Sequence, residues 1–181
     1  MIFRRPFFPL VIAALLATPL VASAQTQHAH VHGQLKLDIA IDGPTVVIAM
    51  DSPLDNIVGF ERAPKTDAER QAVEDAVTVL KAADKLFAID PAANCKLGPV
   101  ELESAALGLG KKGAAAAADA HADLDATFAF NCTNAAAAKY IDVSLFNAFK
   151  GTRQIDAQIV TPQGQFQRTL KRPNLRLAWG K

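Results

Sequence analysis

Three of the four histidines in this 181-residue chain lie within five positions, at His28, His30 and His32. Histidines spaced by two residues place their side chains on one face of an extended strand, where neutral imidazoles can share a metal ion. Imidazole suits Zn²⁺, Cu²⁺ and Ni²⁺ alike, so this cluster predicts a metal site without selecting the metal. The alternative is a polar N-terminal tail that binds no ion. These three residues are called the N-terminal histidines below.

A second pair of potential ligands, His121 and Asp123, has the same two-residue spacing. The pair stands at the start of a predicted strand, beside a low-complexity segment at about 108–120 that is rich in glycine, lysine and alanine. By itself such a pair is more often a solvated strand edge than a set of ligands. We therefore predict a metal site at the N-terminal histidines, with His121 and Asp123 as candidates to join it.

The element that would position the N-terminal histidines is a strand predicted over residues 34–41. Apolar residues occupy every second position, which is typical of a strand buried on one face. Continuing this alternation backwards places the histidines on the solvent-facing side, unless Gly33 kinks the strand. Asp42-Gly43 is a hairpin turn signal, and 45–50 reads as the partner strand. The apolar positions of the first strand are Leu35, Leu37, Ile39 and Ile41.

One long helix is predicted in the mature chain, beginning at Thr66 and ending before Pro91. Thr66 and Glu69 have the spacing of a capping box, in which each side chain accepts a hydrogen bond from the backbone N–H of the other residue. Proline disfavours a helical conformation at the residue before it. The apolar residues at helical spacing are Val73, Ala76, Val77, Leu80, Ala83 and Phe87.

The remaining segments predict the fold class. Residues 52–64 read as irregular, with prolines near both ends. Short strands are predicted at 95–107, 121–130, 140–145, 154–160, 165–170 and 175–179. Many alternating strands with one helix favour an α+β fold, a mainly antiparallel sheet or sandwich with the long helix packed on it.

The first 24 residues are typical of a cleavable export signal. Two arginines precede the apolar run 6–22, and Ala22-Ser23-Ala24 supplies small residues at the positions that a signal peptidase reads. A membrane anchor is the alternative, but two prolines interrupt a run that barely reaches the ~20 residues of a membrane span. We expect residues 25–181 to form a single periplasmic domain without membrane insertion.

The mature chain has two cysteines, Cys95 and Cys132. In an oxidising compartment an isolated pair favours a disulfide. A thiolate metal site is the alternative, but the spacing is not that of a CxxC motif.

Composition argues against several classes of function. Loss of the two arginines with the signal leaves 17 basic and 18 acidic residues, and this balance does not suggest nucleic acid or an anionic membrane as a partner. The chain has no glycine-rich phosphate loop, no HExxH motif and no nucleophile elbow, so we do not expect an enzyme.

Short motifs in a specific order extend over nearly all of the mature chain. They are His28-Ala29-His30-Val31-His32-Gly33, Ser52-Pro53, Asn56-Ile57-Val58-Gly59-Phe60-Glu61, Ala63-Pro64, Cys95, His121-Ala122-Asp123, Phe130-Asn131-Cys132 and Leu145-Phe146 with Ala148-Phe149. Their order and spacing together resemble the ZrgA-like family of periplasmic zinc-binding proteins.

The resemblance implies a protein that binds zinc beside a high-affinity ABC-type zinc importer. Its ligands would include the N-terminal histidines and His121, and its cysteine pair would correspond to Cys95 and Cys132. Members of the family carry a His-rich acidic insert in the central loop. This chain has Lys111-Lys112-Gly113 and an alanine run there instead, which argues against loading of several zinc ions by that loop.

Two hypotheses follow. The first is a periplasmic protein that captures or delivers zinc in support of ABC-type uptake. The second is a non-catalytic interaction module without physiological metal binding, whose sheet edge would contact an import component.

Overall fold

A computed structural model of the chain describes residues 31–110 and 122–179. The predicted signal peptide, His28, His30, His121 and most of the low-complexity segment lie outside these ranges. Strands account for 47% of the described residues, so the fold is mainly β.

Nine strands lie within the described ranges and form two sheets. A six-stranded sheet has the order β4-β5-β2-β1-β7-β8, and a three-stranded sheet has the order β3-β6-β9. Neighbouring strands in both are antiparallel, except for the parallel pair of β1 and β7. In chain order the strands are β1 (Gln34–Asp42), β2 (Thr45–Pro53), β3 (Phe87–Ile89), β4 (Cys95–Glu103), β5 (Asp123–Cys132), β6 (Tyr140–Val143), β7 (Gln154–Thr161), β8 (Gly164–Lys171) and β9 (Arg176–Ala178).

The α-helices in the described ranges are short. They are α1 (Leu54–Val58), α2 (Asp67–Lys81) and α3 (Leu145–Ala148). None of them has the length and apolar character that a membrane span requires. Residues 52–64, which the sequence predicts to be irregular, in fact contain α1.

The predicted α+β class with one long packed helix is wrong. The described residues form a fold closer to a β-sandwich, and α2 ends at Lys81 rather than continuing towards Pro91. Only Ala76 and Leu80 of α2 are buried. Phe87 belongs to β3, where it lies opposite Val143 of β6. The helical spacing of apolar residues continues past Lys81, but the segment around Phe87 is extended because it pairs with a distant strand. Local spacing carries no information about that partner.

The core lies between the two sheets. Phe87 of the smaller sheet packs on Phe128 of the larger one, with ring centroids 5.1 Å apart. The predicted alternation of the first strand is confirmed, because its four apolar residues are all buried. The hairpin at Asp42-Gly43 is also confirmed, since Asp42 lies opposite Thr45 in the antiparallel pair of β1 and β2.

The predicted capping box at the start of α2 is confirmed. Thr66 Oγ1 accepts from the backbone N–H of Glu69 at 3.1 Å, and Glu69 Oε2 accepts from the backbone N–H of Thr66 at 3.3 Å. Both guanidinium NH₂ groups of Arg62 also donate to the carboxylate of Glu69, at 2.6 and 2.9 Å. The paired Arg62, helped by the backbone N–H of Lys65, lowers the pKa of Glu69 to about 2.

Glu69→Gln is expected to reduce stability in a pH-dependent way. The ordinary glutamate pKa of about 4.3 applies to the unfolded chain, so the native carboxylate stabilises the fold above that pH. This contribution should decline as the pH falls towards 2. Urea unfolding of both proteins from pH 7 to pH 3 measures the effect. Glu74→Gln on the same helix is the control and should have the smaller effect at every pH. If the difference in the free energy of unfolding between the wild type and Glu69→Gln does not decrease as the pH is lowered, the prediction is contradicted.

Candidate metal centre

His32 lies in a tight turn directly before β1. Gly33 has a φ of +83°, a left-handed conformation that glycine adopts without a steric penalty. The backbone N–H of Gln34 donates to the carbonyl of Val31 at 2.9 Å across this turn. The strand therefore begins at Gln34 and does not extend back through His32. The His32 side chain is 67% exposed, which agrees with the predicted solvent exposure, but its direction is set by the turn.

The short helix α1 and the turn after it bring two carboxylates to His32. Asp55 lies in the first turn of α1. Gly59, at a φ of +85°, ends the helix by donating its N–H to the carbonyl of Asp55 at 3.1 Å. Glu61 follows two residues later. Asp55 and Glu61 therefore lie on opposite sides of the left-handed turn at Gly59, one before it and one after it.

Both ring nitrogens of His32 face these carboxylates. Its Nδ1 contacts Oδ2 of Asp55, and its Nε2 lies 3.5 Å from Oε1 of Glu61. One ligand atom from each of the three residues lies within 4.8 Å of the others. We call His32, Asp55 and Glu61 the acidic-histidine cluster.

The chemistry of the cluster suits zinc. An ionised Asp55 can only accept a hydrogen bond, so in the neutral imidazole that zinc requires, a proton on Nδ1 would be donated to Asp55 and the lone pair of Nε2 would point towards Glu61. A carboxylate that orients a histidine in this way is a common outer partner of zinc ligands. Within the part of the chain that the structure describes, Oδ1 of Asp55 is buried without a hydrogen-bond partner.

The structure brings together only part of the predicted site. His32 is in the acidic-histidine cluster, whereas His28, His30 and His121 lie outside the described residues. Asp123 begins β5 opposite Pro53, and it is not a member of the cluster. The carbonyl of Ala122 accepts from the backbone N–H of Leu54 at 2.9 Å, so the residue that follows His121 in the chain contacts the residue that precedes Asp55.

Sequence reasoning missed Asp55 and Glu61 as candidate ligands. Glu61 lies within one of the motifs that carried the family resemblance, and Asp55 directly precedes that motif. This motif was the one sequence feature that could have identified the two carboxylates as candidate ligands. Neither residue has the two-residue spacing that singled out the histidines, because a helical turn and a left-handed glycine bring the carboxylates to His32.

The predicted disulfide between Cys95 and Cys132 is confirmed. The two residues lie opposite each other at the paired ends of β4 and β5. Because the described residues contain no free cysteine, the alternative of a thiolate metal site at this pair is excluded.

Comparison with known protein families gives a match over most of the chain. The model of the family described as "ZrgA family zinc uptake protein" matches residues 29–179, a range that contains the whole acidic-histidine cluster and both cysteines. A search of curated proteins found no match.

Proposed function

This chain belongs to the ZrgA family of zinc uptake proteins, and from that premise we propose that it captures zinc outside the cytoplasm and holds it for an ABC-type importer. The observation that carries the proposal is the acidic-histidine cluster, in which Nε2 of His32 faces Oε1 of Glu61 at 3.5 Å. The disulfide and the zinc uptake family fit an extracytoplasmic protein. Removal of residues 1–24 as a signal peptide would place it in the periplasm.

In the proposed site, zinc is the cargo. His32 and Glu61 donate one nitrogen and one oxygen, while Asp55 orients the imidazole. Zinc usually takes four ligands, and three of them are protein side chains even in open sites. We propose that His28, His30, His121 and Asp123 are the candidates for the remaining ligands. His28 and His30 precede His32 by four and two residues, and His121 precedes Asp123, the first residue of β5, by two.

The proposed role is binding rather than catalysis. Zinc coordinates the neutral imidazole, so bound zinc should be released as the pH falls below the range in which histidine ordinarily titrates. An imidazole site can also accept Cu²⁺ or Ni²⁺, so zinc selectivity in the cell would depend on metal supply and on the partner as well as on this site.

Titration of zinc into metal-free residues 25–181 is the direct test. We expect saturable binding and a higher melting temperature, because a ligand at 100 times its Kd stabilises the native state by about 2.7 kcal/mol. Mg²⁺ is the control and should not compete, since it prefers oxygen ligands and is reluctant to lose water. The absence of saturable binding would reject the proposal and favour the metal-free interaction module.

Two variants test whether the other histidines coordinate zinc in the proposed site. His28→Ala with His30→Ala, and separately His121→Ala, should each weaken zinc binding if those side chains complete the coordination. Unchanged affinity and stoichiometry in either variant would remove the corresponding residues from the proposed ligand set.

A further inference from the structure

The buried side chain of Asn56 holds the His32 turn against α1. Asn56 is 2% exposed. Its Oδ1 accepts from the backbone N–H of Gly33 at 2.7 Å, and its Nδ2 donates to the carbonyl of Gln34 at 2.8 Å. The backbone partners determine which end of the amide faces which group, because a backbone N–H only donates and a carbonyl only accepts.

The opposite side of the turn is held by the start of β7. The carbonyl of Gly33 accepts from the backbone N–H groups of Arg153 and Gln154, at 2.7 and 2.9 Å. Asn56 itself is packed closely, since a Cβ placed on Gly151 would lie 2.8 Å from its Cα. The backbone next to His32 is therefore bonded on both sides, while the imidazole remains exposed.

We propose that Asn56 is a positioning residue for the metal centre, acting through the backbone of the His32 turn. Asp55 and Asn56 are adjacent residues of the short helix α1. Asp55 orients the imidazole of His32, and Asn56 holds the backbone of the turn that carries this imidazole. Without this anchor the exposed imidazole would sample conformations away from Asp55 and Glu61, and binding would bear the cost of ordering it. This inference rests on the proposed function, because it concerns the same site.

Asn56→Ala removes both hydrogen bonds to the turn. Loss of an outer-shell partner typically costs about 10–100-fold in metal affinity, and we expect a loss in that range. Competition against a chromophoric zinc chelator measures the affinity. Amide hydrogen exchange at Gly33 reports the anchor separately, and its protection should be lost in Asn56→Ala without zinc.

Ser52→Ala is the matched control. It removes the 3.3 Å hydrogen bond between Nδ2 of Asn56 and Oγ of Ser52, a fully buried residue, and leaves both bonds to the turn in place. Its zinc affinity should stay within about threefold of that of the unmodified protein, well short of an outer-shell loss, and Gly33 should remain protected.

The outcomes separate the two proposals. If the unmodified protein fails to bind zinc, the proposed function and this inference both fail. If it binds zinc and Asn56→Ala binds equally well after losing protection at Gly33, only the positioning role is wrong. Should Asn56→Ala not fold, Asn56→Ser replaces it. The shorter neutral side chain cannot reach both Gly33 and Gln34, and unchanged zinc affinity after loss of protection at Gly33 would equally overturn the inference.

Discussion

His32→Ala is expected to weaken zinc binding by at least about 100-fold, more than the usual effect of losing an outer-shell partner. Within the described ranges His32 supplies the only imidazole, and each of its two nitrogens lies next to a carboxylate oxygen. Removing it deletes the nitrogen donor and leaves Asp55 and Glu61 facing each other without the group between them. The two acids alone form an oxygen site, which suits Mg²⁺ or Ca²⁺ better than zinc.

The acidic members of the cluster separate two roles. Asp55→Asn should cost about 10–100-fold, because an amide can donate to Nδ1 as well as accept from it and so no longer enforces the tautomer that leaves Nε2 free. Glu61→Gln replaces the charged carboxylate ligand with a neutral amide, which is a weaker zinc donor, and should cost at least as much. Asp38→Asn is the matched control, since Asp38 is an exposed acid on β1 outside the cluster. Its affinity should match that of the unmodified protein.

Competition titration at pH 7 checks these values. Wild-type affinity in His32→Ala, together with a large loss in the variant that lacks His28 and His30, would show that zinc binds to the other histidines and that the acidic-histidine cluster is not the zinc site. Equal losses in Asp38→Asn and Asp55→Asn would instead indicate a general effect of negative charge rather than a specific ligand geometry.

Replacing Cys95 and Cys132 together with alanine is expected to lower the free energy of unfolding by about 4 kcal/mol, within the usual range for loss of a native disulfide. The two cysteines are 37 residues apart in sequence, so the crosslink closes a long loop and restricts the unfolded chain. It also joins the edge strand β4 to β5 at their paired ends. Its loss removes a covalent tie at the border of the larger sheet.

Urea unfolding of oxidised wild-type protein and of the double variant measures this difference. Reductant should destabilise the wild type to about the level of the double variant and leave the double variant unchanged. A thiol assay on unfolded, oxidised mature protein should detect no free thiol. Two free thiols, or equal stability of the two proteins without reductant, would contradict the structural role of the disulfide.

Local sequence patterns predicted the structure correctly where the interactions that determine it lie within one strand or one helix. The alternation from Leu35 to Ile41 reports a strand with one buried face, and the structure buries all four apolar residues of that series. Thr66 and Glu69 form the capping box that their spacing predicts, because its bonds lie within one turn of helix. The cysteine pair could likewise be assigned, since the chain offers only one pairing.

The helix length was mispredicted because a non-local partner competes with local spacing. Phe87 continues the helical series from Leu80, yet it is buried in β3 against Phe128 and pairs with Val143. Those partners lie 41 and 56 positions further along the chain. Their burial and strand pairing stabilise an extended conformation that no local window of sequence could indicate.

The sequence by itself indicated one candidate donor, His32, and the family to which the chain belongs. Only the tertiary structure decided that Asp55 and Glu61 meet that histidine and that Asn56 anchors its backbone. The physical reason is that β1 and α1 are neighbours through the β1–β2 hairpin, so residues separated by more than twenty positions meet at one end of the sheet. Residue spacing can indicate candidate ligands on one strand, but candidate ligands contributed by a turn and a helix can be recognised only in the folded structure.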